Sequence, residues 1–401
     1  MGNVLAKTAR PAHVPPELVF EYDMFNDRRL AVDVHEGMFS LIDEAPDIFW
    51  TPLNGGHWMV MRYEHVRSML MAPHIFGNAQ ASVRTNKDGF QIKLPPADMD
   101  APDHMKHRLL LLKFLSPPQL RRQEAAILRL MNELIDSLAG KKACEFKAQI
   151  AVKLPVVTFL SIMNWDLSLA LRFVTWVNDI GSADTEVRGS AHLELLNYID
   201  GMIAERVARP GVDPVSQLLN SEIDGKPISH ERVKEMTTLL FTAGLDTVTN
   251  AMTFIMRYLA EHPELQDELR ANPDKIDKAI EELLRRHSFV NTFRRAKENT
   301  VFQGVALEKD DILTLSLCTS SNDECKYPHP REVQIARGDT SHLAFSTGPH
   351  NCIGSPLARL ELRIFLREWL RRMPNVGISQ AWQPRPRGGT VMTLESLDLV
   401  W

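Results

Sequence analysis

Apolar residues recur at helical spacing through most of this chain, and strand-like alternation is confined to short stretches. The most persistent run opens at Ser229, a fitting N-cap, and continues to Glu261 before His262-Pro263. About thirty residues without a break is long for a globular helix. Another helix is predicted from Ser116-Pro117-Pro118 to Gly140, and a short one over 63–72. Residues 150–208 read mostly as helices, with Leu154, Val157, Leu160 and Ile162 at core spacing. Asn272-Pro273 reads as the cap of a helix over 273–287, with Ile276, Ala279, Ile280, Leu283 and Leu284 as its apolar stripe. Ser355-Pro356 opens a last helix, because proline fits a first turn.

Strand signals are fewer. Phe49-Trp50-Thr51 and Trp58-Met59-Val60-Met61 flank Asn54-Gly55-Gly56, a hairpin pattern. Asp224-Gly225 is a turn. Val290 to Arg294 enters a strand, and Val391, Leu394, Leu397, Leu399 and Val400 read as sheet and pocket wall. Between 78 and 97 periodicity fails, which predicts a long loop beside a site. Residues 1–30 read as an arm laid over the surface. The order predicts a mainly α chain with a smaller β region.

Composition narrows this. The chain has 401 residues, 44% hydrophobic and 24% charged, enough for a large core. No linker, repeat or low-complexity tract divides it, so one domain over 1–401 is expected. Net charge is −5, which leaves no nucleic-acid footprint. Four cysteines (Cys144, Cys318, Cys325, Cys352) have no zinc or disulfide spacing. Met1 to Lys7 is too short and polar for a signal peptide, and no apolar run approaches the roughly 18 residues that span a bilayer. A soluble cytoplasmic protein is expected.

The candidate chemistry gathers in a few places. Cys352 lies between Gly348 and Gly354, just before a helix N-terminus, where free N–H groups favour a thiolate and hence a soft or borderline metal. Gly244 interrupts the longest helix at a cost of roughly 1 kcal/mol against alanine. Either close helix packing or a groove for a small ligand accounts for it. Asp246-Thr247 beside it could relay protons. His104 and Arg108 share a helical face, which alone is a common charged surface. Glu282 and Arg285 are likewise one turn apart, and Thr242 is a polar residue two before Gly244.

Together these motifs resemble the cytochrome P-450 family. The run Phe345-x-x-Gly348-x-His350-x-Cys352-x-Gly354-x-x-x-Ala358 matches its haem signature at every fixed position. Ala243-Gly244-x-Asp246-Thr247 resembles its I-helix (229–261), Glu282-x-x-Arg285 its K-helix (273–287), and Asp100-x-Pro102-x-His104-x-x-x-Arg108 its C-helix. Residues 345–370 would be the cysteine loop and L-helix. The resemblance implies a single triangular domain with the I-helix over haem b. It implies Cys352 as axial ligand of the haem iron, Phe345 beside the thiolate, and His104, Arg108, Arg294 and His350 on the propionates. It also implies Gly244, Asp246 and Thr247 handling dioxygen and protons, and Arg or His at Glu332 joining the Glu282–Arg285 pair. Arg331 stands next door instead. Leu18 to Met24, Asn54 to Trp58, Glu281 to Arg286 and Leu399-Val400-Trp401 resemble the camphor-hydroxylase branch. That implies a monomeric monooxygenase of a small hydrophobic cyclic substrate, a terpenoid or norisoprenoid, fed by a [2Fe-2S] ferredoxin and its NAD(P)H-dependent reductase. The tyrosine that meets camphor's ketone is missing from Phe90-Gln91-Ile92-Lys93-Leu94, so camphor itself is disfavoured. Ile92, Leu239, Thr242, Val290 and Val391 align with the substrate pocket. Rival readings are a non-catalytic haem-thiolate sensor and a hydrolase using Cys352 with His350.

Overall fold

The computed structural model describes residues 7–83, 93–180 and 185–401. Ile92, with residues 84–92 of the predicted loop over 78–97, lies outside them. Helices dominate. The main ones are Asp103–Leu112, Pro117–Asp136, Lys153–Met163, Ala170–Ile180, Thr185–Ala208, the pair His230–Gly244 and Asp246–Glu261, Ile276–Arg286 and Ser355–Arg372. One five-stranded sheet has the spatial order Ile48–Thr51, His57–Val60, Ile312–Ser316, Asn291–Ala296, Phe76–Gly77. His57–Val60 and Ile312–Ser316 run parallel, and the other neighbours run antiparallel. The predicted hairpin forms, with Thr51 opposite His57 and Asn54, Gly55 and Gly56 all at positive φ.

Three apolar cores organise the chain. The first surrounds residues 248–260 of the long helix, the helix Ile276–Arg286 and the helix Ser355–Arg372. The second holds the end of the helix Asp103–Leu112 and the helices between 152 and 245, including Phe173, Trp176, Phe241 and Leu245, while Pro117–Asp136 packs in the first. The third lies on the sheet around Trp58, Leu313 and Tyr327. The long helix therefore leaves one core and enters another between Leu245 and Val248. Over its 32 residues it is long and apolar enough to cross a bilayer by length and composition, contrary to the sequence expectation, yet 67% of its most apolar window is buried in protein. It is a core helix.

Three other expectations change. The N-terminal arm is anchored rather than merely laid on: Phe20 N–H donates to Trp50 O at 2.9 Å, and Tyr22 and Met24 are buried in the first core. Asn272 does not cap the next helix, because its amide donates backward to Glu268 O and a short 3₁₀ turn, Pro273–Lys275, intervenes. The third member of the Glu282–Arg285 pair is neither Glu332 nor Arg331. Arg285 grips Glu282 through two bonds of 2.8 and 2.9 Å, and both side chains are fully buried. Arg337 closes the network with Nε at 3.0 and 3.1 Å from the two Glu282 oxygens. Glu332 contributes only its backbone carbonyl, which accepts from Arg285 and Arg337, while Arg331 pairs with Asp43 at the surface.

Removing one partner from a buried ion network leaves an uncompensated charge, costing about 3–5 kcal/mol, whereas an exposed pair is worth about 0–1 kcal/mol. Arg337→Met is therefore expected to lower unfolding free energy severalfold more than Arg331→Ala, as read by denaturant titration. Glu361 gives a pH-dependent counterpart. It is 1% exposed, its Oε1 lacks a partner, and burial pushes its carboxyl up to about 8 against the lowering effect of Thr158. Between the ordinary carboxyl range and pH 8 the unfolded chain gives up this proton while the folded chain keeps it, so stability falls as pH rises through that window. Glu361→Gln should remove that slope, making the variant's relative stability highest near pH 8 when unfolding is measured from pH 5 to 8.

Candidate active site

The cysteine loop is built by backbone geometry that its sequence permits. Ser346 and Gly348 adopt φ of 60° and 72°. A Cβ on Gly348 would lie 2.6 Å from Leu70 O, so the position admits glycine alone. Cys352 N–H donates to Phe345 O at 3.0 Å and closes the loop. Gly354 is ordinary by comparison: its φ is −82°, and a Cβ there would meet Cys352 Sγ at an unstrained 3.8 Å. The helix Ser355–Arg372 starts directly after it. Phe345 packs against the first core and Ile353 against the second, so the loop sits on the seam between them.

Cys352 is accessible on the loop. Burial pushes its thiol up, outweighing the N–H groups of Gly354 and Ser355 and the charges of Arg108 and Arg359. The thiolate expected from the helix terminus is thus not favoured by the polypeptide alone. It requires a further positive charge, as a coordinating metal supplies. Arg359, which the sequence reading passed over, is fixed by Glu281 at 2.7 and 2.8 Å and lies 4.5 Å over the Phe345 ring.

His104, Arg108, Arg294 and His350 come together. The His104 and His350 rings lie 3.9 Å apart. Arg108 donates to Asn351 O on the cysteine loop. Arg294, 1% exposed on the strand Asn291–Ala296, donates to Phe293 O at 2.7 Å. None of the four has a carboxylate in ion-pair range among the described residues. Asp100 acts on His104 and Arg294, and it is already held by the Asn78 N–H at 2.7 Å. Burial pushes Arg294 down to about 10, and burial with His104, Arg294 and Arg108 pushes His350 down to about 3. His104 and His350 are thereby held neutral, while Arg108 and Arg294 remain cations without a counter-charge, costly to bury unless an anion joins them. His350 stacks on His104 and makes no hydrogen bond to Cys352, so the hydrolase arrangement does not form.

The long helix breaks at Leu245, between His230–Gly244 and Asp246–Glu261. Threonine hydroxyls compete for its carbonyls and promote the bend. Thr242 donates to Thr238 O at 3.0 Å, Thr247 to Ala243 O at 2.9 Å, and Thr249 to Leu245 O at 2.8 Å. A Cβ on Gly244 would meet nothing within 4 Å, which removes close helix packing as its reason and leaves the open notch. Asp246 sits at the first position of the second segment, where the helix terminus favours negative charge.

The aligned pocket residues separate. Thr242, Asp246 and Val391 line one cavity of about 170 Å³. Val290 pairs with Val391 through an isolated β-bridge. Leu239 is packed into the second core, and Ile92 lies outside the described residues. A roomier cavity of about 700 Å³, beside Trp165, Arg172 and Tyr198, contains none of these residues.

This donor set fits a haem: one accessible thiol whose deprotonation is helped by a metal's charge, and two arginines without a carboxylate partner beside two neutral imidazoles, all able to donate to propionates. The comparisons agree. The cytochrome P450 family model matches residues 185–375. A probable cytochrome P450, 127A1, of Sinorhizobium fredii (strain NBRC 101917 / NGR234) is 32% identical over 98% of this chain and 96% of its own. Cytochrome P450 107B1 of Saccharopolyspora erythraea is 29% identical over 90% and 92%. The crystal structure of cytochrome P450 CYP101C1 superposes with a TM-score of 0.90 at 30% identity, covering 98% of this chain and all of that one. That of CYP101J2 gives 0.90 at 29% identity over 98% and 99%. With the motifs, the fold and a full-length relative in agreement, the chain belongs to the cytochrome P450 family of haem-thiolate monooxygenases, which bind protohaem b and consume O2.

Proposed function

We propose that this monooxygenase hydroxylates an unactivated C–H bond of a small cyclic terpenoid or norisoprenoid, with electrons from a [2Fe-2S] ferredoxin and its NAD(P)H-dependent reductase. It works as a cytoplasmic monomer. The observation that carries the reading is the joint occurrence of Cys352 and the notch at Gly244 on one seam between two cores. When bound, the haem supplies dioxygen reduction and transfer of one oxygen atom to the substrate.

The chain's own residues do the rest. Cys352 holds the iron, and Arg359 and the Gly354 and Ser355 N–H groups steady its negative charge. His104, Arg108, Arg294 and His350 orient the propionates. Thr247 Oγ1 already donates to Ala243 O, so its lone pairs are left to accept a hydrogen bond from a hydroxyl or water in the notch. Asp246 holds and releases protons there.

Substrate choice follows from the same accounting. Val290 and Val391 give an apolar wall. The Thr242 hydroxyl spends its proton inside the helix, so it can accept a hydrogen bond but has none to give a ketone. A ring that bears no carbonyl, as in 1,8-cineole or in an ionone whose ketone lies on the side chain, suits this wall better than camphor, whose unmet ring carbonyl costs about 1 kcal/mol or more. A spin-state titration of the ferric protein with camphor, 1,8-cineole, ionones and an aromatic control tests this. A large low-to-high-spin shift with a cyclic terpenoid or ionone and little with camphor is expected. Tight camphor binding would refute the substrate reading.

A further inference from the structure

Consecutive glutamates on the helix Ile276–Arg286 have different partners. Glu282 is enclosed by Arg285 and Arg337. Glu281 reaches the helix Ser355–Arg372, where Arg359 Nε and Nη2 donate to its two oxygens at 2.7 and 2.8 Å. His342 Nε2 stands 3.3 Å from Glu281 Oε2, its side chain almost fully buried. Burial pushes the Glu281 carboxyl up, yet Arg359 and His342 bring it down to about 2, so it is ionised near neutral pH. An arginine gripped at both oxygens of a carboxylate has little freedom to turn. The Arg359 guanidinium carbon lies 4.5 Å over the Phe345 ring, and the Phe345 carbonyl accepts the Cys352 N–H at 3.0 Å.

Joining the two helices does not account for this arrangement. Arg363 and Asp277, one turn away from Arg359 and Glu281, already link the same helices through a surface pair. Such a pair is worth about 0–1 kcal/mol. Both helices also share the first core. Arg359 differs from Arg363 in two respects. It is locked by two bonds and stacked on a ring of the cysteine loop, where the ring face attracts a cation. It also interacts with Cys352, each group favouring the charged form of the other. Arg108 acts on Cys352 as well, but it donates to Asn351 O and belongs to the propionate set.

We propose, on the reading of Cys352 as the iron's ligand, that Arg359 is a positioning residue that sets how readily the iron is reduced, and that Glu281 fixes its place and moderates its charge. Reduction passes one electron from the ferredoxin to the ferric iron. No proton moves at the pair, and the charge facing Arg359 becomes one unit more negative. A fixed cation beside the thiolate favours that reduced state, and the carboxylate paired with the cation weakens the effect. The Arg359 side chain is 36% exposed, so salt in solution screens part of its influence.

The test is a spectroelectrochemical titration of the substrate-free holoenzyme with small-molecule mediators, so that ferredoxin docking plays no part. Arg359→Met is expected to leave about tenfold less iron reduced at a given potential, a midpoint about 59 mV lower. Arg359→Lys should restore most of the difference, and added salt should shrink it. Glu281→Gln keeps an amide oxygen for Arg359 but removes the opposing charge, so its midpoint should rise. It decides the matter alone should Arg359→Met fail to retain haem. Arg363→Met, which removes an equal charge one turn away, should stay at the parent value. Midpoints unmoved in Arg359→Met and Glu281→Gln, shifts of the same sign in both, or a shift matched by Arg363→Met would overturn the inference. If the reduced parent shows the thiolate band under carbon monoxide and the midpoints do not move, only the role of Arg359 and Glu281 falls. If that band is missing from the parent, the reading of Cys352 falls and takes this proposal with it.

Discussion

The structure depends on how one long helix is shared between two hydrophobic cores. His230–Gly244 packs among the helices of the second core, and Asp246–Glu261 lies almost wholly inside the first. A helix satisfying both without interruption would present only packed side chains at the boundary. The bend at Leu245 instead leaves Gly244 facing open space, with Asp246 and Thr247 beginning the next segment. The cysteine loop meets the same boundary, Phe345 on one side and Ile353 on the other. The reactive groups converge because the two cores meet there.

Buried charge separates support from chemistry. Glu282 and Arg285 are fully buried and the Arg337 side chain nearly so, yet every formal charge among them faces an opposite one at 2.8–3.1 Å. Such a network can only hold the fold. Arg108 and Arg294 near the cysteine loop are arranged oppositely, their charge unrelieved by any carboxylate pair among the described residues and the neighbouring His104 and His350 pushed toward the neutral form. A polypeptide that folds around such a cluster has left the compensation to a ligand. The two sets are therefore distinguished by what faces them.

Much of this was legible in the sequence, and the pattern of success has a physical basis. Cys352, His104, Arg108, Asp246 and Thr247 sit in short runs whose residue types and local spacing are set by chemistry, so they can be read without coordinates. The hairpin at Asn54-Gly55-Gly56 and the cap at Ser229 are local in the same sense. Arg337 was missed because it lies in an irregular loop, where no period links it to Glu282. The helix break hid inside an unbroken apolar period, since threonine side chains bonding back to carbonyls leave that period intact. The direction of the Cys352 shift was misread for a related reason. The helix terminus is visible in sequence, and the burial that outweighs it is not.

The central claim is that Cys352 binds haem iron as a thiolate although the bare polypeptide disfavours that charge. The most direct measurement is the absorption spectrum of the purified, reduced protein under carbon monoxide, beside Cys352→Ser. The account predicts the long-wavelength Soret band of a thiolate-ligated haem in the parent and its loss, with a shift to shorter wavelength, in the variant. A parent protein that carries no haem, or whose band is the same in both proteins, would contradict it.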